Sequence, residues 1–108
     1  MTYDEMKKYY NIPEEIIKMY ESWESVKKKK EEEEVLEKLK LIILLKDSGF
    51  KEEEIKKYVE GLTEDREKIL ILDRKRNYTL DKIHIYEKRL ENLDYLRYEM
   101  RKKNNKNI

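Results

Sequence analysis

A chain of 108 residues with 47% charged and 38% apolar residues is too apolar for disorder yet lean for a globule, so it holds one small domain plus an extension. Its 26 basic residues nearly cancel 25 acidic ones, and the net charge of +1 argues neither for nor against a nucleic-acid partner. Without cysteine, disulfides, thiolate metal sites and thiol redox sensing are excluded.

In chain order, Tyr3 to Tyr10 reads as a short helix with Tyr3, Met6 and Tyr10 on one face and Thr2 or Asp4 as its cap. Asn11 breaks it, because Asn tolerates the left-handed turn conformation. Pro13 stands at the first position of a second helix, where its missing N–H costs nothing, and Glu14 and Glu15 suit that helix's positive end. Ile16, Ile17 and Tyr20 form its buried side, with Met19 or Trp23 at the margin. Two short helices joined by a tight turn make a helix-turn-helix candidate.

The run Lys27 to Glu34, KKKKEEEE, reads as a solvated charge run or a helix connection. A sharper alternative makes Lys27, Lys28, Lys29 and Lys30 a basic tip that touches phosphates, followed by an acidic first turn of the third helix. Val35 to Lys46 is the central core helix, dominated by Leu36, Leu39, Ile42, Ile43 and Leu45. Gly49 caps it and Phe50 folds back over the joint. A fourth helix from Glu52 to Val59 turns Ile55, Tyr58 and Val59 inward and ends at Gly61; Leu62 is core and Thr63 caps the next helix.

From Glu64 to Lys103 there is neither Gly nor Pro, and apolar residues recur at alternating steps of three and four: Ile69, Leu72, Ile83, Tyr86, Leu90, Leu93 and Met100. Arg76, Thr79 and Arg97 occupy the remaining places of the same seam. Such a helix runs roughly 60 Å, longer than so small a domain can cover, and the simplest partner for its stripe is the same helix from a second copy. A homodimer zipped through these seven apolar residues is the expectation. The tail from Lys102 to Ile108 is polar, basic and frayed.

The stretch LEKLKLIILLKDSGFKEEEIKKYVEGL, Leu36 to Leu62, resembles the second half of the DNA-binding domain of mercury-resistance-type (MerR) regulators, in which an apolar helix ends in Gly-Phe before an acidic start and an Ile. Here those are Gly49-Phe50, then Glu52, Glu53, Glu54 and Ile55. YDEMKKYYNIPEEIIKMYE occupies the place of the family's helix-turn-helix, with Asn11 near its turn glycine, Lys18 on its usual arginine, and Met19 and Tyr20 on its paired aromatics. The long helix, including LDYLRYEM, is similar to the family's antiparallel dimerisation coil. The resemblance implies an all-α chain: a helix-turn-helix domain over residues 1–62, a dimerisation helix over 63–103 forming an antiparallel coiled coil, and a polar tail over 104–108. Two departures stand out. The family's Pro- and Gly-rich wing is replaced by WESVKKKKEEEE, and the second helix carries Glu14, Glu15, Glu21 and Glu24 against Lys18 alone. An acidic helix repels phosphates.

Enzyme signatures are missing: the two glycines form no phosphate-cradling loop, and His84 falls beside the seam as an exposed residue with no metal or catalytic role. No cofactor is expected. The longest apolar run, Leu41 to Leu45, is too short to span a bilayer, and no N-terminal stretch resembles a signal peptide, so a cytoplasmic, membrane-free protein is expected. Two functions follow from the resemblance. One is a transcriptional regulator binding duplex DNA as a homodimer, with Lys18, Tyr20 and Lys27 to Lys30 as its DNA contacts, Lys18 in the groove and the lysine run on phosphates. The other is a degenerate dimer without DNA binding, which acts through protein contacts such as pairing with a full-length regulator of the same kind.

Overall fold

A computed structural model describes residues 1–23 and 32–106. All regular structure among them is helical: α1 (Tyr3–Tyr10), α2 (Glu14–Glu21), α3 (Glu32–Asp47), α4 (Glu52–Val59) and α5 (Asp65–Lys106). The chain divides into two units, Met1–Glu64 and Asp65–Ile108.

Local chemistry sets each end of the short helices. The Thr2 hydroxyl accepts from the Glu5 N–H at 3.2 Å, and the Glu5 carboxylate accepts from the Thr2 N–H at 3.5 Å, a reciprocal cap that uses two otherwise orphaned donors. Asn11 ends α1 in the left-handed region, φ 54°, as expected of Asn. Pro13 falls one place earlier than the sequence suggests: it is the N-cap, extended at φ −63° and ψ 142°, and its carbonyl accepts from Ile16 at 3.1 Å.

The α3 terminus forms a complete Schellman turn. Gly49, at φ 89°, donates to the Lys46 carbonyl at 3.0 Å, and Phe50 donates to the Leu45 carbonyl at 3.1 Å. Only a residue without Cβ takes that conformation cheaply. The turn swings Phe50 back into the core, where it is buried.

Among the described residues the core of the first unit is apolar apart from the polar tips of its aromatics. Leu39 and Ile42 of α3 are wholly buried, and α3 packs on both α2 and α4. Ile16, Ile17 and Tyr20 come from α2, Met6 from α1, Ile55 and Val59 from α4, with Trp23 and Ile12 closing the margins. Four expectations are corrected. Tyr10 does not share the inward face of Met6 but is exposed, with the Lys40 ammonium 5.1 Å from its ring centre. Leu62 is 72% exposed instead of core. The Thr63 hydroxyl donates back to the Lys57 carbonyl at 3.4 Å, tying down the end of α4. Finally, helix continues through the expected frayed tail as far as Lys106, because no Gly or Pro stops it and terminal lysines suit a helix's negative end.

In the second unit α5 is one uninterrupted 42-residue helix. Thr79 sits within it with its hydroxyl donated to the Lys75 carbonyl at 2.8 Å, the back-bonding that lets a helix hold Thr without an unpaired group.

Candidate interfaces on the second helix and the long helix

Two surfaces carry the sequence-based site residues. The first is the outward side of α2. Lys18 is exposed there and available to an anion. Tyr20 is not: with 1% of its surface exposed it packs edge-on against Trp23, ring centres 5.9 Å apart and planes at 70°. A side chain so deeply buried cannot touch DNA, and the DNA contact expected of Tyr20 is withdrawn. Lys27, Lys28, Lys29 and Lys30 lie outside the described residues, as do Glu24 and Glu31.

The acids of α2 are partly spoken for. Glu15 pairs with Lys46 of α3 at 2.8 Å, and Glu14 pairs with Lys7 of α1 at 3.6 Å. All four side chains keep contact with water, so each pair contributes at most about 1 kcal/mol. Glu14 and Glu15, four and three residues before Lys18 on α2, each face a cation from another helix. Glu21 reaches toward α1: burial raises the Tyr3 hydroxyl pKa above the usual phenol value, and the Glu21 carboxylate adds to that rise.

Charge is segregated along the chain. Met1–Glu64 has 13 basic and 17 acidic residues, a balance of −4; Asp65–Ile108 has 13 basic and 8 acidic, a balance of +5. The near-neutral whole therefore conceals an acidic first unit and a basic long helix. A charge count on either side of Glu64 finds this in the sequence, whereas a count confined to α2 misses it.

The second surface is the seam of α5. All seven apolar members are exposed: Ile69 60%, Leu72 41%, Ile83 46%, Tyr86 62%, Leu90 59%, Leu93 57% and Met100 63%. Of its polar interruptions, Arg97 is held locally, 3.7 Å from Asp94 one turn before it. Beside the seam, Lys75 and Lys82 flank the Tyr78 ring at 5.4 and 4.6 Å. A hydrogen bond from Lys82, reinforced by its charge, holds the Tyr78 hydroxyl below the usual phenol pKa. His84 is exposed. Among the described residues no group of His, Asp or Glu is placed to hold a metal ion, and no helix is long and apolar enough to cross a membrane.

No family model, no curated protein and no solved structure matches the chain.

Proposed function

We propose that the protein is a homodimer joined through α5 and that it acts through protein contacts made by its acidic N-terminal unit. The observation that carries the reading is the exposed seam. Seven large apolar side chains along one stripe of each helix are a surface that water penalises and a second copy covers. Even at half burial, seven on each of two helices contribute on the order of 10–20 kcal/mol. That is comparable to or above the roughly 4–15 kcal/mol lost in bringing two chains together. The balance of −4 on the first unit and the burial of Tyr20 speak for a protein partner over nucleic acid.

A second reading keeps the resemblance to MerR regulators and makes the protein a DNA-binding transcriptional regulator. One observation favours it: Lys18 is exposed on α2 while Lys7 and Lys46 draw off Glu14 and Glu15. Titration of a mixed duplex pool at two salt concentrations separates the readings. The protein-contact reading expects weak binding at low salt that disappears when Lys27 to Lys30 are changed to Ser, since every phosphate a lysine neutralises adds roughly 0.9 to the steepness of the log–log salt dependence. Tight, sequence-selective binding that survives this change but is abolished by Lys18→Ala would establish the regulator.

A further inference from the structure

We infer that the seam of α5 pairs with a second copy in the parallel sense, opposite to the antiparallel coil that the family resemblance implies. The inference rests on the dimer proposed above and adds its direction, register and flanking ion pairs.

Heptad positions follow from the seam. With Ile69 at a and Leu72 at d, the a series is Ile69, Arg76, Ile83, Leu90 and Arg97, and the d series is Leu72, Thr79, Tyr86, Leu93 and Met100. The flanking g positions are then Lys68, Lys75, Lys82, Arg89, Leu96 and Lys103, and the e positions are Asp73, Leu80, Glu87, Asp94 and Arg101. One flank of the seam is basic and the other mainly acidic. In a parallel coil each g residue faces the e residue five places on in the partner, whereas an antiparallel coil sets g against g and e against e.

The parallel arrangement gives Lys68–Asp73, Lys82–Glu87 and Arg89–Asp94 across the interface, each twice, with Lys75–Leu80 and Leu96–Arg101 neutral. No like charges meet on the flanks. The antiparallel register that overlaps the whole seam gives Lys68–Lys103, Lys82–Arg89 and Asp73–Asp94. Every pair of charged residues there is repulsive. Sliding that register by a heptad either way still sets Lys82 or Arg89 against its own copy on the g flank.

The core layers agree. In the parallel register Arg76, Thr79 and Arg97 each meet their own copy, so polar residues are confined to three layers and seven are wholly apolar. The antiparallel register sets Leu72 against Arg97, Arg76 against Leu93 and Thr79 against Leu90, so six of ten layers are mixed. Ile at a with Leu at d, as at Ile69, Ile83, Leu72 and Leu93, is also the combination that favours two parallel strands. The two arginine layers are the cost. Each arginine follows an e-position acid by three residues, Asp73 before Arg76 and Asp94 before Arg97, and its long stem lets the charge reach that acid at the rim.

Orientation decides where the two N-terminal units sit in the dimer. Each is joined to its helix at Asp65, so a parallel coil releases both from the same end.

Two measurements on the full chain test the inference, and the absence of native cysteine makes the first one clean. Leu72→Cys and Arg97→Cys are oxidised in a glutathione buffer, separately and as a mixture equilibrated while reduced. A parallel coil gives more than half disulfide-linked dimer with either variant alone and no mixed 72–97 bridge. Formation of the mixed bridge alone would overturn the direction while leaving the dimer intact. Monomeric mass in sedimentation would overturn the dimer itself, and a sedimenting dimer that forms none of these bridges would show pairing through another face. The second measurement reads a sign. Lys82→Glu turns two attractions into repulsions in a parallel coil and should weaken dimerisation roughly tenfold, with recovery in Lys82→Glu/Glu87→Lys. In the antiparallel coil the same single change removes the Lys82–Arg89 repulsion, and tighter dimerisation would overturn the proposal.

Discussion

The two units use similar apolar side chains in opposite ways. In the first, Leu36, Leu39, Ile42 and Leu45 of α3 are buried because α2 and α4 pack on the helix and cover it. In the second, Ile69, Leu72, Ile83 and Leu90 follow an equally regular spacing yet stay exposed along a single helix. Hydrophobic spacing thus reports that a stripe will be covered, not what covers it. Helix length decides between the cases: short helices interrupted at Asn11, Gly49 and Gly61 can fold onto one another, while 42 residues without a break cannot.

The strongest way to break this comparison is to place charge in the α5 stripe. In the proposed dimer, Ile83→Glu with Leu90→Glu puts two carboxylates on each helix where the partner helix must desolvate them, at several kcal/mol apiece. Dimer affinity should weaken by at least about a hundredfold, giving monomer in sedimentation at concentrations where the parent is dimeric. The sole tryptophan, Trp23, is buried in the first unit and should keep its native emission. Loss of both signals together would mean that the units do not separate their apolar roles as described.

Much of this contrast is legible in the residues. The five helices, the left-handed Asn11, the Gly49 turn and the α3 core positions follow from spacing and from the few residues that tolerate positive φ. Where sequence and structure part, a residue's type is a poor guide to its environment. The family resemblance makes Tyr20 a DNA contact, whereas its spacing from Ile16 and Ile17 puts it on the buried side of α2, and the spacing is right. Ile12 betrays its burial only by following a left-handed residue, the same place that buries Phe50 after Gly49. The acids of α2 read as free charge in the sequence, whereas Lys7 and Lys46 come from other helices, and only the fold brings them to Glu14 and Glu15.

The corners after α3 and α4 sharpen the comparison within the first unit. Both turn through a glycine at positive φ, 89° at Gly49 and 73° at Gly61. In both, the following residue donates five places back: Phe50 to Leu45 at 3.1 Å and Leu62 to Lys57 at 3.2 Å. Phe50 is buried and Leu62 is not. Phe50→Ala should therefore cost about 3–5 kcal/mol, the range for emptying a buried aromatic site, measured by denaturant unfolding followed through Trp23. A loss below about 1 kcal/mol would show that the turn's hydrogen bonds hold the α3–α4 corner without the ring.

Leu62→Ala carries the smallest expected effect and the tightest constraint. This corner shares with that of Phe50 the positive-φ glycine and the hydrogen bond five places back, so the contrast between the two substitutions falls mainly on the side chains. With 72% of its surface exposed, Leu62 buries little apolar area, and its substitution should change stability by no more than about 0.5 kcal/mol. The unfolding should be followed at two protein concentrations well above and well below the dimer dissociation constant. A cost that stays small at both fits a Leu62 that is solvent-facing in monomer and dimer alike. A cost of about 2 kcal/mol or more at high concentration, absent at low concentration, would place Leu62 in the dimer interface. The interface would then extend beyond the α5 seam to Leu62.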